Sequence, residues 1–383
     1  MTLAIDTDPY LLRTYRRMPI DLARGEGVYV WDTMGTRYLD FYAGHAVAST
    51  GHCHPRVVQA IQDQAAKLIF YSNVAGLPLR TQAARLLVEA APSGFTHAFF
   101  ANSGAEANEA ALKMARKHTG RTDVAAMQGG FHGRTAGAMS VTGVDKYRVA
   151  PLVPGTTFIP FGNIAAAAAA ISERTAAVIL EPIQSMAGVK TAGAEYFQGL
   201  RTLCDRHGAL LIYDEVQTGI GRTGQMFFAP RHGVSPDLIT LAKGIASGVP
   251  LSAVLVSAPV AERVQYGEHG ATFGAGPLAM AAMKATLEVM RDEKLPENAA
   301  SVGAVLAERL RAVKGVAEVR GAGLLLGIKV AGDAAALQKA LLGEGVIVGT
   351  ADEPGVLRLL PPLTLQKGHV DDFLRTLTAC IGP

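Results

Sequence analysis

The residues of this chain best placed to do chemistry are a lysine and an aspartate. Lys243 precedes Gly244, and Asp214, 29 positions earlier, closes the apolar run Ala209-Leu210-Leu211-Ile212-Tyr213. A lysine amine can hold an aldehyde as a Schiff base, and a carboxylate can keep a heterocyclic nitrogen protonated. At about 4 Å from such a cation a carboxylate contributes roughly 4 kcal/mol at an effective dielectric near 20, enough to make the ring an electron sink. Asp214 stands where a buried strand would end, and open α/β sheets bind ligands outside the carboxyl ends of their strands. Gly244, Ala246, Ser247 and Gly248 leave the backbone around Lys243 open to a bulky planar ligand. Each residue also has a plainer reading, Asp214 as the cap of a following helix or turn and Lys243 as a solvated surface charge.

An anion site is offered by Ala101-Asn102-Ser103-Gly104-Ala105, which lies between an apolar run ending at Phe100 and an alanine-rich helical stretch through Lys117. The first N–H groups of a helix lack intrahelical partners and point outward, so Ser103, Gly104 and Ala105 can hold a phosphate. The same residues read equally well as a Ser103-x-x-Glu106 capping box with no ligand. An amine, an acid behind a ring nitrogen and a phosphate loop are together what pyridoxal phosphate requires. Gln217 can reach the ring's phenolic oxygen with its amide, or be an ordinary surface glutamine. Thr272, in His269-Gly-Ala-Thr-Phe-Gly274, can add a phosphate hydroxyl, or be a threonine of a glycine-rich loop. Phe131-His132-Gly133-Arg134 offers an aromatic ring to stack on a pyridine and a guanidinium for a carboxylate. Arg358, flanked by Leu357 and Leu359, is costly to bury unpaired; its partner is a substrate carboxylate, an internal acid, or solvent at an edge strand.

No metal site is expected. In His52-Cys53-His54 two histidines share a strand face while the cysteine points away, and Pro55 turns the chain into a helix. With 36 basic and 33 acidic residues the net charge of +3 gives no footprint for nucleic acid. No segment approaches the roughly 20 apolar residues of a membrane span. Three scattered cysteines fit a reducing compartment, and an N-terminus with Asp6, Asp8 and Pro9 has no apolar signal segment. A soluble cytoplasmic protein acting on small molecules is the expectation.

The elements that must position these groups are legible in outline. Val28 to Asp32 and Arg37 to Phe41 read as a hairpin around Gly35. From about 55 to 255 helical stretches alternate with the apolar runs His97–Phe100, Val124–Met127, Ala177–Leu180, Ala209–Tyr213, Leu238–Leu241 and Ser252–Val256. That alternation predicts an α/β fold with a mostly parallel sheet between helices. The run Ala165–Ala170 predicts a helix capped by Asn163. Beyond about 290 an Ala/Arg/Glu-rich helix precedes glycine-bearing strand runs at Val316–Val330 and Val346–Leu360, which suggests a smaller α+β unit sharing a sheet with the N-terminal hairpin. The expected division is 1–50 as an N-terminal segment packing with the small domain, 51–285 as the large cofactor-binding domain and 286–383 as the small domain.

The order and spacing of these motifs resemble the class III pyridoxal phosphate aminotransferases, members of the fold type I PLP-dependent transferases. The resemblance runs nearly end to end, through Gly27-Val-Tyr-Val-Trp-Asp, Gly51-His-Cys-His-Pro, Asn102-Ser-Gly-Ala-Glu-Ala-Asn-Glu-Ala, Phe131-His-Gly-Arg-Thr, Glu181-Pro-Ile-Gln, Asp214-Glu-Val-Gln-Thr-Gly, Leu241-Ala-Lys-Gly and Gly270-Ala-Thr-Phe-Gly. It implies that Lys243 is the Schiff-base lysine and proton shuttle, Asp214 the partner of the ring nitrogen and Gln217 the neighbour of the phenolic oxygen. By the same resemblance Phe131 stacks on the ring, His132 and Glu181 line the cofactor, and Ser103, Gly104 and Ala105 hold its phosphate. Thr272 would complete that phosphate site from the other subunit of a homodimer with shared active sites.

The implied reaction moves the δ-amino group of N2-acetyl-L-ornithine to 2-oxoglutarate, a step of arginine biosynthesis. Arg134 would hold the donor's α-carboxylate and Arg358 that of glutamate or 2-oxoglutarate. One departure stands out: relatives read Glu-Pro-x-Gln-Gly-Glu where this chain has Glu181-Pro-Ile-Gln-Ser-Met186, so the acid that would pair with Arg358 is absent. Arg358 is therefore expected to rest on another acid or on solvent. The loop Ser72 to Pro78 and the Ala275-Gly-Pro turn also depart from the family. Ornithine, succinylornithine, acetyllysine and 4-aminobutyrate remain alternative donors, a glutamate-1-semialdehyde-type aminomutase an alternative reaction, and a binding protein without catalysis a third reading.

Overall fold

Short apolar runs bounded by helices form strands because burial on both faces leaves no room for polar alternation. In the computed structural model, which describes residues 10–381, they build three sheets. The N-terminal strands are β1 (Leu22–Glu26), β2 (Tyr29–Asp32) and β3 (Arg37–Asp40). The central strands are β4 (Phe95–Ala101), β5 (Asp123–Met127), β6 (Thr156–Ile159), β7 (Thr175–Leu180), β8 (Leu210–Asp214), β9 (Leu238–Leu241) and β10 (Ser252–Ser257). The C-terminal strands are β11 (Val316–Ala322), β12 (Leu325–Val330), β13 (Val346–Ile347), β14 (Gly349–Thr350) and β15 (Val356–Leu359). The acidic residues before Tyr10 that enter the export reading lie outside the described residues.

The seven central strands follow the order β4-β10-β9-β8-β7-β5-β6. Pairing is parallel from β9 to β6, while β10 runs antiparallel to both β9 and β4. Every residue of β7 and β8 is buried, as strands covered on both faces require. Parallel pairing sends the carboxyl ends of β5, β7, β8 and β9 to one edge, and β4 shares their direction. The residues that follow those ends therefore meet: Asn102 to Ala105, Phe131 to Arg134, Glu181, Asp214 and Lys243.

The helix Gly104–Thr119 shows how local sequence sets an element. Ser103 accepts from Glu106 N at 3.3 Å, and Glu106 Oε2 accepts from Asn102 N at 3.1 Å, so the capping box forms; Gly120, at φ 70°, ends the helix in the left-handed region that glycine tolerates. Asn163 likewise caps Ile164–Ala170 through Ala166 N at 2.9 Å.

The N-terminal hairpin gains a third strand, β1, and joins the C-terminal part of the chain through β13, which pairs parallel with β3 at Val346↔Leu39 and Ile347↔Asp40. Phe41, after β3, stacks on Phe373 of the C-terminal helix Lys367–Ile381, with ring centroids 4.1 Å apart and both rings fully buried. The third sheet, β11-β12-β15-β14, carries Arg358 on β15 between Gly327 and Gly349. No helix among the described residues is long and apolar enough to cross a membrane.

Candidate functional site

A cavity of about 920 Å³ opens at the carboxyl edge of the central sheet. Ser103, Gly104, Ala105, Phe131, His132, Arg134, Glu181, Asp214, Gln217, Lys243 and Arg358 all line it. Thr272 does not; it is exposed in the loop whose Gly274 packs against the Phe100 carbonyl, and a Cβ at Gly274 would come within 2.2 Å of that oxygen.

Lys243 follows β9 in a single turn, at φ 48°, a conformation that costs a β-carbon-bearing residue on the order of 1 kcal/mol. Gly244 is required beside it, because a Cβ there would stand 2.3 Å from Ser49 Oγ. The amine takes no hydrogen bond or ion pair among the described residues. Burial pulls the ammonium below its ordinary value and nearby Arg358 pulls the same way, against Asp214 and Glu181. A lysine so placed holds a larger share of free, nucleophilic amine at neutral pH.

Asp214 is fixed from three sides. Its Oδ2 accepts from Asn108 Nδ2 at 2.7 Å and bonds His132 Nδ1 at 2.8 Å, and its Oδ1 accepts from Val216 N at 3.1 Å. Asn108 is held in turn, donating to the His132 carbonyl at 2.7 Å and accepting from Thr240 Oγ1 at 2.7 Å. Only 3 % of the Asp214 surface is exposed; Oδ1 caps the following turn through Val216 N while Asn108 and His132 hold Oδ2. Glu181, also buried, accepts from Phe131 N at 2.7 Å; burial and the neighbouring Asp214 raise its carboxyl to about 7.

Several polar groups are left over, and they fit a planar aldehyde carrying a phosphate. Gln217 Oε1 and His132 Nε2 are buried without a partner. The N–H groups of Gly104 and Ala105 have no backbone acceptor among the described residues, and Ser103 keeps its cap while lining the cavity. A Cβ at Gly104 would press on Val216 at 3.1 Å, which keeps the helix start close to the residues after Asp214.

Two guanidiniums line the cavity. Arg134 is exposed, lies 4.5 Å over the ring of Tyr147 and has no carboxylate partner among the described residues. Tyr147 packs edge-on to Phe131 at 5.4 Å. Arg358 is 4 % exposed and rests on neutral groups: Nε donates to the Thr350 carbonyl at 2.7 Å, Nη1 to Ser185 Oγ at 3.2 Å and Nη2 to Tyr42 Oη at 3.0 Å. The expectation of an acid or solvent around Arg358 is corrected: a carbonyl and two hydroxyls replace the missing glutamate, and Met186 lines the cavity beside them.

His52 and His54 part company, as their strand spacing does not forbid. His52 Nε2 bonds Asp40 at 2.8 Å and His54 Nε2 bonds Glu293 at 2.9 Å. Sequence reasoning passed over Asn108, Val216, Tyr42, His45 and Ser185, all at or behind the cavity wall. Asn108 left one signal, a buried-face amide inside an alanine-rich helix that an apolar residue would fill as well.

The aminotransferase class-III family model matches residues 10–381. The chain is 44% identical over 374 residues to the acetylornithine aminotransferase of Methanopyrus kandleri, covering 97% of this chain and 96% of that one. Among solved structures it is similar to the acetylornithine aminotransferase from Elizabethkingia anophelis, with a TM-score of 0.86 and 32% identity over 97% of this chain and 96% of that one. It is also similar to the ornithine aminotransferase from Toxoplasma gondii, a structure with partial occupancy of PLP at the active site, with a TM-score of 0.92 and 33% identity over 97% and 92% of the two chains.

Proposed function

The chain belongs to the aminotransferase class-III family, and we propose that it transfers the δ-amino group of N2-acetyl-L-ornithine to 2-oxoglutarate, giving N-acetyl-L-glutamate 5-semialdehyde and L-glutamate, with pyridoxal 5'-phosphate as cofactor. The observation that carries this reading is one cavity that gathers a half-buried lysine, a buried and hydrogen-bonded carboxylate, an open helix start and two guanidiniums without acid partners among the described residues. Pyridoxal phosphate supplies an aldehyde that bonds primary amines and a ring that accepts electrons from the attached carbon.

In this proposal Lys243 would hold the cofactor's aldehyde, and its Nζ would move the proton on the donor's δ carbon. Asp214 keeps the ring nitrogen protonated, with Asn108 and His132 holding its carboxylate in place. Ser103, Gly104 and Ala105 would take the phosphate, Phe131 and Val216 would pack against the ring, and Gln217 and Glu181 would meet its polar groups. Arg134 takes the α-carboxylate of acetylornithine, and Arg358 that of glutamate or 2-oxoglutarate.

A donor panel with 2-oxoglutarate tests the substrate. Acetylornithine should give the highest kcat/KM, and turnover without an acceptor should stop after one amino group per site. Sustained turnover without acceptor, or a preference for 4-aminobutyrate, would overturn the assignment. Met186→Glu gives the panel a second arm: a carboxylate at the cavity wall beside Arg358 should raise KM for 2-oxoglutarate about tenfold, roughly 1.4 kcal/mol of competition, and leave KM for acetylornithine nearly unchanged.

We further propose a cytoplasmic homodimer with shared sites and a division of the chain at 50 and 285. The division is supported by the β3–β13 pairing, and the location is in keeping with three free cysteines. The dimer is supported by Phe70 and Phe273, exposed and 5.1 Å apart beside exposed Thr272. If Thr272 serves the other subunit's phosphate site, mixing and reassociating inactive Lys243→Ala with weakened Thr272→Val should restore activity, since each hybrid holds one intact site. Failure of hybrids to exceed the separate variants would count against sharing.

A further inference from the structure

Between β3 and the helix Pro55–Ala65 the chain makes a left-handed turn. Ala43, Gly44, His45 and Ala46 stand at φ 48°, 57°, 68° and 66°, closed by Ala46 N→Tyr42 O at 2.9 Å and Val47 N→Ala43 O at 2.8 Å. Only one of these residues is a glycine, so the turn is strained at the other positions, and such strain persists only where surrounding structure imposes it. Asp40 imposes it here. Its Oδ1 accepts from Tyr42 N and Ala43 N, both at 2.8 Å, while its Oδ2 is tied to His52. The Tyr42 ring fills space that only a glycine at 349 leaves open, for a Cβ there would sit 2.1 Å from Cε2 of the ring.

The turn presents His45 to the cavity and joins it to Arg358. Arg358 Nη2 donates to Tyr42 Oη at 3.0 Å, and Tyr42 Oη lies 2.7 Å from His45 Nδ1. Arginine can only donate, so the phenol oxygen accepts from it, and the arrangement that also uses the phenol's proton sends that proton to His45 Nδ1. The imidazole proton then sits on Nε2, which takes no partner among the described residues, and His45 lines the cavity. Partial burial and the nearby charges of Arg358 and Lys243 push His45 below its ordinary value, the direction that favours this neutral form. Each Nη of Arg358 carries a second N–H beyond the bonds described. His45 and Arg358 thus offer N–H donors from two side chains, neither bonded to an acid among the described residues, a set that suits a carboxylate.

We propose that His45 is a specificity-determining residue whose Nε2–H takes an oxygen of the carboxylate bound by Arg358, and that Tyr42 is the positioning residue that sets its tautomer. The inference rests on the reading of Arg358 as the site of the 2-oxo acid's carboxylate. It gives this chain, which lacks the acid beside Arg358, a neutral hydrogen-bond relay in that place.

The test uses the cofactor-loaded enzyme, with KM for 2-oxoglutarate from kinetics and Kd for glutarate from calorimetry. His45→Leu should raise both about tenfold, the usual worth of one hydrogen bond to a charged group, with kcat within about twofold. His45→Gln, which keeps an N–H donor, should recover most of the loss. Tyr42→Phe should raise both constants, and the loss in Tyr42→Phe/His45→Leu should be less than the sum of the two single losses, because the phenol acts partly through the imidazole and partly as the acceptor of Arg358 Nη2. Fully additive losses would count against the relay. Arg358→Ala separates this inference from the one beneath it. If Arg358→Ala abolishes glutarate binding while His45→Leu leaves both constants within twofold, the role of His45 is overturned and that of Arg358 stands. If Arg358→Ala binds glutarate as the parent does, the carboxylate site itself is misplaced. A fall in kcat and thermal midpoint with KM unchanged in His45→Leu and His45→Gln would assign the histidine to the turn's stability and also overturn the proposal.

Discussion

Lys243→Ala should lower amino transfer roughly 10⁴-fold or more, the upper range of what positioned proton transfer contributes, with loss of covalent attachment added to it. The expectation follows from where the amine lies. It is half-buried just after β9, takes no hydrogen bond among the described residues, and is pulled below its ordinary value chiefly by burial. A surface lysine would be dispensable; this one has been brought to the cavity at the expense of a left-handed backbone. Lys243→Arg should be as inactive as the alanine variant, because a guanidinium stays protonated and can neither condense with an aldehyde nor take up a proton. Both variants should fold and still bind the cofactor through the helix start at Ser103 to Ala105. Single-turnover and steady-state rates with acetylornithine, compared with the parent at several pH values, measure the effect; activity within tenfold of the parent at any pH would remove Lys243 from the chemistry.

Asp214→Asn should cost roughly 10³-fold in kcat, because a charge about 4 Å from a ring cation is worth roughly 4 kcal/mol at an effective dielectric near 20 and an amide supplies none of it. The substitution is nearly isosteric, and the structure says how it will sit. Asn108 Nδ2 and His132 Nδ1 both face the present Oδ2, so the amide oxygen belongs there. The amide nitrogen is then turned toward Val216 N, itself a donor, and the 3.1 Å bond to that N–H is lost. Stability should fall by about 1 kcal/mol, far less than the catalytic effect, and KM for acetylornithine should change little. Equal losses in kcat and thermal stability would instead make Asp214 a structural residue.

Much of this site could be read in the sequence because it sits at strand ends. Asp214 closes an apolar run and Lys243 follows another, and parallel pairing brings such ends together whatever the intervening helices are. Ser103 was ambiguous between a cap and a phosphate loop, and the two readings prove compatible, since the cap satisfies Glu106 N while Gly104 and Ala105 stay open. Strand direction was less legible. Ser252–Ser257 is as apolar as its neighbours, yet it runs antiparallel, a property that periodicity does not carry. Leu22–Glu26 and Thr156–Ile159 were missed because both lie at sheet edges, where exposure removes the apolar signature.

The surroundings of Arg358 were the least legible. Tyr42 and Ser185 are 316 and 173 positions away from it in the chain, and a missing glutamate in one motif gives no hint of which hydroxyls replace it. Nor does Ala43-Gly-His-Ala announce a left-handed turn, since only Gly44 favours one. That conformation is imposed by Asp40, and Asp40 is itself held by His52, whose pairing no local pattern specifies.

The most direct measurement is borohydride reduction of the cofactor-loaded protein, followed by proteolysis and mass spectrometry of every lysine-containing peptide. One phosphopyridoxyl group is expected, carried on Lys243 and absent after incubation with acetylornithine before reduction. A label on another lysine, or an unlabelled Lys243 in protein that retains the bound cofactor, would contradict it.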